Sequence, residues 1–156
     1  MRWFFLCSLP LLALDQLTKA AITARFQDLS SRIEVIPGFF NLVRVHNQGM
    51  AFGLGNGTPW ANALFLSVAT LAIGLIIYFG KRGTFQGTAA KLAVSLLVAG
   101  ILGNLTDRLV RGYVVDFLDF NLGFMRWPSF NVADSCIFIA AFLLFFSSLR
   151  GAPEPE

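Results

Sequence analysis

Four stretches of the chain are apolar for close to the length that crosses a bilayer, about 20 residues. The clearest runs from Pro59 to Gly80, carries no charge and ends at Lys81-Arg82. Another covers about Thr88 to Thr106, with Lys91 close enough to its start to snorkel. A third covers about 131–149 and stops at Arg150. The first in chain order, about Trp3 to Ile22, differs because it holds Asp15 and Lys19 in its last third. Its opening, Arg2 followed by Trp3–Leu14, has the look of a signal peptide. No small-x-small cleavage site precedes Asp15, however, and apolar residues resume at Leu17, Ala20, Ala21 and Ile22, so it is read as a retained helix. The pattern predicts an all-α integral membrane protein. One four-helix domain spans residues 1–150, with spans at about 3–22, 59–80, 88–106 and 131–149. The tail Gly151–Glu156, with two prolines, is predicted to be disordered.

The loops after the first and third spans are more than connectors. Arg32-Ile33-Glu34-Val35 alternates polar and apolar residues, Pro37-Gly38 marks a turn, and Phe39 to Asn47 is again strand-like. A small sheet lying on the membrane surface fits this pattern. A glycine-rich stretch, Asn47 to Gly57, follows. Four spans place both termini on the side of the short loop Lys81–Lys91. That loop has three basic residues and no acid, which reads as cytoplasmic. Arg25, Arg32, Arg44, Arg108, Arg111 and Arg126 fall in the opposite loops, which are longer and carry acids, so they weigh less.

Composition supports lipid as the solvent. Of the 156 residues, 56% are hydrophobic and 13% charged, against about 45–50% and 25% in soluble domains. This excludes a disordered chain, and so small a globule has too little interior to hide that much apolar surface. The net charge of +3 is scattered, with no basic run that would suggest nucleic acid. Cys7 and Cys136 lie in apolar runs and are expected to be reduced. No CxxC or Cys/His cluster suggests a metal, and no cofactor is expected.

Polar groups at membrane depth are costly, so their positions are informative. With this topology, seven of the nine acids fall in the outer half or surface, and the inner half is nearly pure hydrocarbon. Asp15 has Lys19 one helical turn on and reads as a neutralised intrahelical pair. Asp107 and Arg108 end the third span, where an interface anchor or a structural acceptor would suffice. Asp116 sits among Val114, Val115, Phe117 and Leu118, a setting that raises a carboxyl pKa. Asp134 lies where a new helix opens. Asn131 can cap that helix equally well, which frees Asp134 to point inward. Two carboxylates from different segments of one face can share a proton and activate water for attack on a peptide carbonyl. Nucleophilic chemistry is poorly served: His46 is the only histidine and reads as structural, and no GxSxG occurs. Two other classes remain open at this point. Asp107, Asp116 and Asp119 could bind Mg²⁺ for lipid phosphoryl transfer, or the acids could be a relay in a non-enzymatic transporter subunit.

Four motifs in order resemble the lipoprotein signal peptidases (signal peptidase II), aspartic proteases of bacterial membranes. They are Asp15-Gln16-Leu17-Thr18-Lys19, His46-Asn47-Gln48-Gly49-Met50-Ala51-Phe52, Gly103-Asn104-Leu105-Thr106-Asp107-Arg108 followed by Val114-Val115-Asp116-Phe117, and Phe130-Asn131-Val132-Ala133-Asp134-Ser135. Each is weak alone; four in order on a chain of this length are specific. Two departures stand out: Met50 where alanine is usual, and Ile101 in a run often made of smaller residues. The resemblance implies Asp116 and Asp134 as the catalytic dyad. Asp15, Lys19, Asn47, Gly49, Asn104, Asp107, Arg108, Asn131 and Ala133 would support the site or position substrate. It implies a diacylglyceryl-modified prolipoprotein as substrate, cleaved before the lipidated cysteine. It further implies a monomer among membrane lipid, in the bacterial inner membrane, with the active site at the outer face.

Overall fold

A computed structural model describes residues 2–49 and 59–149. The order of elements is α1 (Arg2–Arg25), β1 (Arg32–Ile36), β2 (Phe40–Asn47), α2 (Pro59–Lys81), α3 (Gly87–Arg111), β3 (Val114–Asn121), β4 (Arg126–Phe130) and α4 (Val132–Leu149). The four helices overlap the four apolar runs. α1 and α3 each continue beyond the apolar stretch, because Arg25, and Asp107, Arg108 and Arg111, are accommodated in their last turns. Two helices, Trp60–Lys81 and Gly87–Arg111, are long and apolar enough to cross a membrane, and Val132–Ser147 is a shorter apolar helix.

The fold is not all-α. Two hairpins, one between α1 and α2 and one between α3 and α4, join in a four-stranded antiparallel sheet of order β1-β2-β3-β4. The second hairpin escaped the sequence pattern. Val114-Val115-Asp116-Phe117 does not alternate in polarity, because both of its faces are covered: Val114 to Phe117 are all buried. One face carries Val115 and Phe117, which pack on Ile22 and Phe26 at the end of α1. The other carries Asp116.

A bulge decides what shares that second face. Leu42 pairs with Leu118, but Val45, not Arg44, pairs with Asp116. The extra residue reverses the alternation beyond it. Asn47, rather than His46, therefore lies on the Asp116 face. His46 instead stacks on Tyr113 at 3.8 Å between ring centroids.

Helix α3 is the centre of the bundle. It packs on α1 and on α4, and Leu96 meets Cys136 and Ala140 in the core between α3 and α4. Two glycines allow the close approach. A Cβ on Gly100 would lie 2.4 Å from the Ala133 carbonyl oxygen, and one on Gly103 would lie 2.6 Å from Asp15 Oδ2. Gly112 ends α3 at φ 78°, a left-handed conformation suited to glycine, and its N–H caps the Arg108 carbonyl at 3.1 Å. The chain then enters β3 directly, so Asp116 returns to the end of α3. Cys7 and Cys136 are free thiols, the former half-buried and the latter buried.

Candidate active site

Asn131 is the N-cap of α4, and Asp134 is its third helical residue. Asp134 N–H donates to Asn131 Oδ1 at 2.9 Å, and Asn131 N–H donates to Asp134 Oδ2 at 3.3 Å. This reciprocal box satisfies the helix end. It leaves Asp134 Oδ1 to accept from Asn104 Nδ2 at 2.7 Å. Asp116 is held by two amides: Asn131 Nδ2 donates to Oδ1 at 2.7 Å and Asn47 Nδ2 to Oδ2 at 2.9 Å. The two carboxylates expected from the sequence thus share Asn131 as a common partner. Asp116 is buried, and its carboxyl is pushed up to about 7, first by burial and then by the Asp134 charge. The Asn47 and Asn131 hydrogen bonds pull the other way.

Behind the pair lies a buried ionic cluster. Lys19, fully buried, places Nζ 2.9 Å from Asp15 Oδ2, 3.1 Å from Asp107 Oδ2 and 3.0 Å from Asn104 Oδ1. The Asp15–Lys19 bridge inferred from spacing is present, but it is one edge of a larger network. Asp15 Oδ1 also accepts the Ala133 N–H at 2.9 Å, so an α1 carboxylate caps the first turn of α4. Asp107 accepts Val115 N–H at 3.1 Å and pairs with Arg111. Lys19 fixes the oxygen of the Asn104 amide, which turns its NH₂ toward Asp134.

Arg108 and Gly49 border the opening. Arg108 lies over the Phe65 ring at 4.3 Å, and its Nη2 donates to the Gly49 carbonyl at 3.4 Å, while its buried Nε has no partner among the described residues. Gly49 N–H in turn donates to Asn47 Oδ1 at 2.9 Å. Both carboxylates open on a cleft of about 790 Å³ between α2, α3, α4 and β4. Phe65, Val68, Ala69 and Ala72 form its α2 wall, and Ile137, Phe138 and Ala141 its α4 wall. Ile101 lines the cleft; Met50 and the rest of the glycine-rich stretch lie outside the described residues.

Asp119 belongs elsewhere. It faces away from Asp116 and accepts from Arg126 at 2.6 and 2.8 Å and from Asn41 at 3.0 Å. Those Arg126 hydrogen bonds hold its carboxyl below the ordinary range. Asp107, Asp116 and Asp119 therefore do not converge as the acidic strip of the Mg²⁺ reading requires. Among the described residues no three His, Cys, Asp or Glu side chains gather in a metal-holding cluster. Sequence reasoning missed Gln16, whose Nε2 reaches Asp15, the Gly103 carbonyl and Asp107 at 3.1, 3.1 and 3.4 Å. The signal was present: a third polar residue beside Asp15 in an apolar helix. Arg111 and Phe65 were missed as well, and neither stands out from its neighbours in sequence.

Comparisons with known proteins give the family of the chain. The family model described as signal peptidase (SPase) II matches residues 7–150. The lipoprotein signal peptidase of Psychromonas ingrahamii is 40% identical over 149 residues, 95% of this chain and 84% of that protein. The one from Shewanella oneidensis is also 40% identical, over 157 residues covering 100% and 91%. A bacterial membrane enzyme solved by the in meso method at 2.3 Å superposes with a TM-score of 0.87 at 31% identity, covering 98% of this chain and 93% of its own. By the family model and these relatives, the chain belongs to the signal peptidase II family, membrane enzymes of the aspartic peptidase type.

Proposed function

We propose that the chain removes signal peptides from diacylglyceryl-modified prolipoproteins, cutting before the lipidated cysteine with water activated between Asp116 and Asp134. The carrying observation is the shared residue Asn131, whose side-chain NH₂ donates to the Asp116 carboxylate and whose backbone N–H donates to the Asp134 carboxylate, at the mouth of one apolar cleft. Asp116, with its carboxyl at about 7, keeps the proton. Asp134 is the ionised partner and takes a proton from the water as its oxygen attacks the scissile carbonyl carbon. Asp116 meanwhile gives its proton to the carbonyl oxygen. Collapse of the tetrahedral adduct returns that proton to Asp116. The proton on Asp134 passes to the leaving nitrogen as the C–N bond breaks. The signal peptide gains a carboxylate and the lipidated cysteine a free amine.

Several features support a four-span arrangement in the bacterial inner membrane, with both termini cytoplasmic and the dyad at the outer face. The polar cluster gathers at one end of the bundle, and Lys81, Arg82 and Lys91 gather at the other. The sheet ends in two adjacent hairpin tips, joined by Asn121 N–H to the Phe39 carbonyl at 2.8 Å. Phe39, Phe124 and Trp127 there are 42%, 84% and 45% exposed. Exposed aromatics of this kind suit a membrane–water interface. The cleft lies open between α2 and α4, giving a monomer a lateral entrance for a signal helix and acyl chains already in the bilayer.

The test is turnover of a lipidated precursor by purified protein. Asp116→Asn and Asp134→Asn should each fall to near background while the protein remains folded. The double variant should be scarcely worse than either, because the two act as a unit. Full activity in either single variant refutes the dyad.

A further inference from the structure

At the end of the bundle away from the dyad, a second cavity of about 280 Å³ lies between α1 and α3, lined by Cys7, Thr88, Lys91, Leu92 and Ser95. The α3 residues repeat at i, i+3, i+4 and i+7, so they form one stripe facing Cys7. Ser8, on α1, closes the floor by donating to the Ser95 carbonyl at 3.0 Å. Lys91 is exposed; its carbonyl accepts from Ser95 Oγ at 2.8 Å, while its ammonium makes no hydrogen bond or ion pair among the described residues. It stands about 20 Å along α3 from Asn104, at 1.5 Å per residue.

The charges described around this cavity have one sign. Helix alternation brings the end of α2 and the start of α3 to this end, with Lys81, Arg82 and Lys91. Arg82 is turned aside over the Tyr78 ring at 4.8 Å. None of the seven described acids is here. The nearest in α1, Asp15, lies two turns beyond Cys7 and is taken up by Lys19. A polar rim of ammonium and hydroxyl above an apolar slot offers two chemistries at once. Lys91 and Thr88 provide a cation and a hydroxyl for phosphate oxygens. Leu92, 42% exposed, and Cys7 provide an apolar wall for an acyl chain. Basic pockets between helices at a membrane surface have this form when they hold lipid headgroups.

We propose that the α1–α3 cavity binds one anionic phospholipid, with its phosphate on Lys91 and Thr88 and an acyl chain along Leu92 and Cys7. The bound lipid clamps α1 to α3 at the end opposite the dyad. The proposal needs only that the helices be embedded in lipid; it does not rest on the peptidase reading.

Two readouts test it on the full-length protein in detergent: native mass spectrometry of retained lipid, and the rate at which a maleimide labels Cys7. Cys136 is buried and serves as the internal control. Dioleoyl phosphatidylglycerol should be retained over dioleoyl phosphatidylcholine by about fivefold, the ratio for one lysine at an anionic surface. It should also slow Cys7 labelling. Lys91→Gln should abolish the preference and the protection, while Lys81→Gln should keep both. Thr88→Phe, which fills the mouth, should exclude the lipid at wild-type thermal stability. Equal retention of the two lipids by the wild type overturns the proposal, as does undiminished preference in Lys91→Gln. Protection of Cys7 by glycerol 3-phosphate or inorganic phosphate equal to that by the lipid overturns the acyl-chain part, leaving an anion site only.

Discussion

Asn131 donates to Asp116 at 2.7 Å through the same amide whose oxygen caps the helix that carries Asp134. Capping and carboxylate positioning are therefore separable by substitution. Serine caps a helix about as well as asparagine but has no second donor to reach Asp116. Asn131→Ser should keep the wild-type stability within about 1 kcal/mol and lose about 10- to 100-fold in turnover, the usual cost of removing an outer hydrogen-bonding partner. Turnover per folded molecule equal to wild type would remove Asn131 from the catalytic arrangement.

The Asp116 carboxyl, ordinarily at 3.8, stands at about 7 in the fold. The folded state therefore prefers the protonated acid. Its contribution to stability is full below the ordinary value, declines as pH climbs toward 7, and levels off above. Asp116→Asn cannot ionise. The difference in thermal midpoint between variant and wild type should move in the variant's favour between pH 4 and 7 and then stay constant. A difference that is flat across this window would mean Asp116 is an ordinary ionised carboxylate.

The same proton sets an activity profile. If Asp116 must hold it when substrate arrives, kcat/KM falls above pH about 7, tenfold per unit. Asp119 contributes no limb here, since Arg126 keeps it ionised. Asp119→Asn should therefore retain most activity and the same alkaline limb. A dead Asp119→Asn beside an active Asp116→Asn would put the chemistry on the other face of β3.

The helices and the two carboxylates that meet at Asn131 were legible because each is an exception to a strong rule. Twenty apolar residues in a row have few alternatives to a span, and an unpaired acid among valines and phenylalanines invites a functional reading. Strand β3 was illegible for the complementary reason. Buried on both faces, it lacks the alternation that betrays a surface strand, and the β2 bulge that delivers Asn47 leaves no trace in composition. The Lys19 network was half legible. Its Asp15 edge is an i,i+4 spacing on one helix, whereas its Asp107 and Asn104 edges span 88 and 85 residues and exist only through packing. What sets that packing is Gly100 and Gly103, whose role appears only once α4 and Asp15 stand beside them.

Those glycines make a separate prediction. An added methyl at Gly100 would meet the Ala133 carbonyl at 2.4 Å and Ile137 Cγ1 at 2.6 Å. The first is backbone and yields only if α4 shifts. Gly100→Ala should cost about 1–3 kcal/mol, the range for overpacking, and reduce turnover because α4 carries Asp134. Gly74, with nothing within 4 Å of a built Cβ, is the control: Gly74→Ala should stabilise by about 0.5–1 kcal/mol, the helix preference alone. Equal behaviour of the two would dissociate the α3–α4 approach from the site.

Lys19 is the sharpest test of how the buried cluster is organised. One ammonium neutralises Asp15, helps neutralise Asp107 and orients Asn104, all away from water. Lys19→Met fills nearly the same volume but leaves Asp15 without a cation, and loss of one partner from a buried ion pair costs about 3–5 kcal/mol. The folded fraction in detergent should collapse. Adding Asp15→Asn and Asp107→Asn to Lys19→Met removes the stranded charges. An asparagine oxygen can still accept from Ala133 N–H and from Val115 N–H, the two backbone groups these carboxylates now cap. The triple variant should therefore recover a cooperative thermal transition that Lys19→Met lacks. It should still turn over far less substrate than wild type, because only the longer 3.2 Å hydrogen bond from Asn131 Nδ2 then holds the Asn104 oxygen, and its NH₂ is less firmly kept on Asp134. Recovery of folding and activity together would reduce Lys19 to a charge counterweight. Lys19→Met as stable as wild type would show that the Lys19 ion pairs add nothing to the stability of the fold.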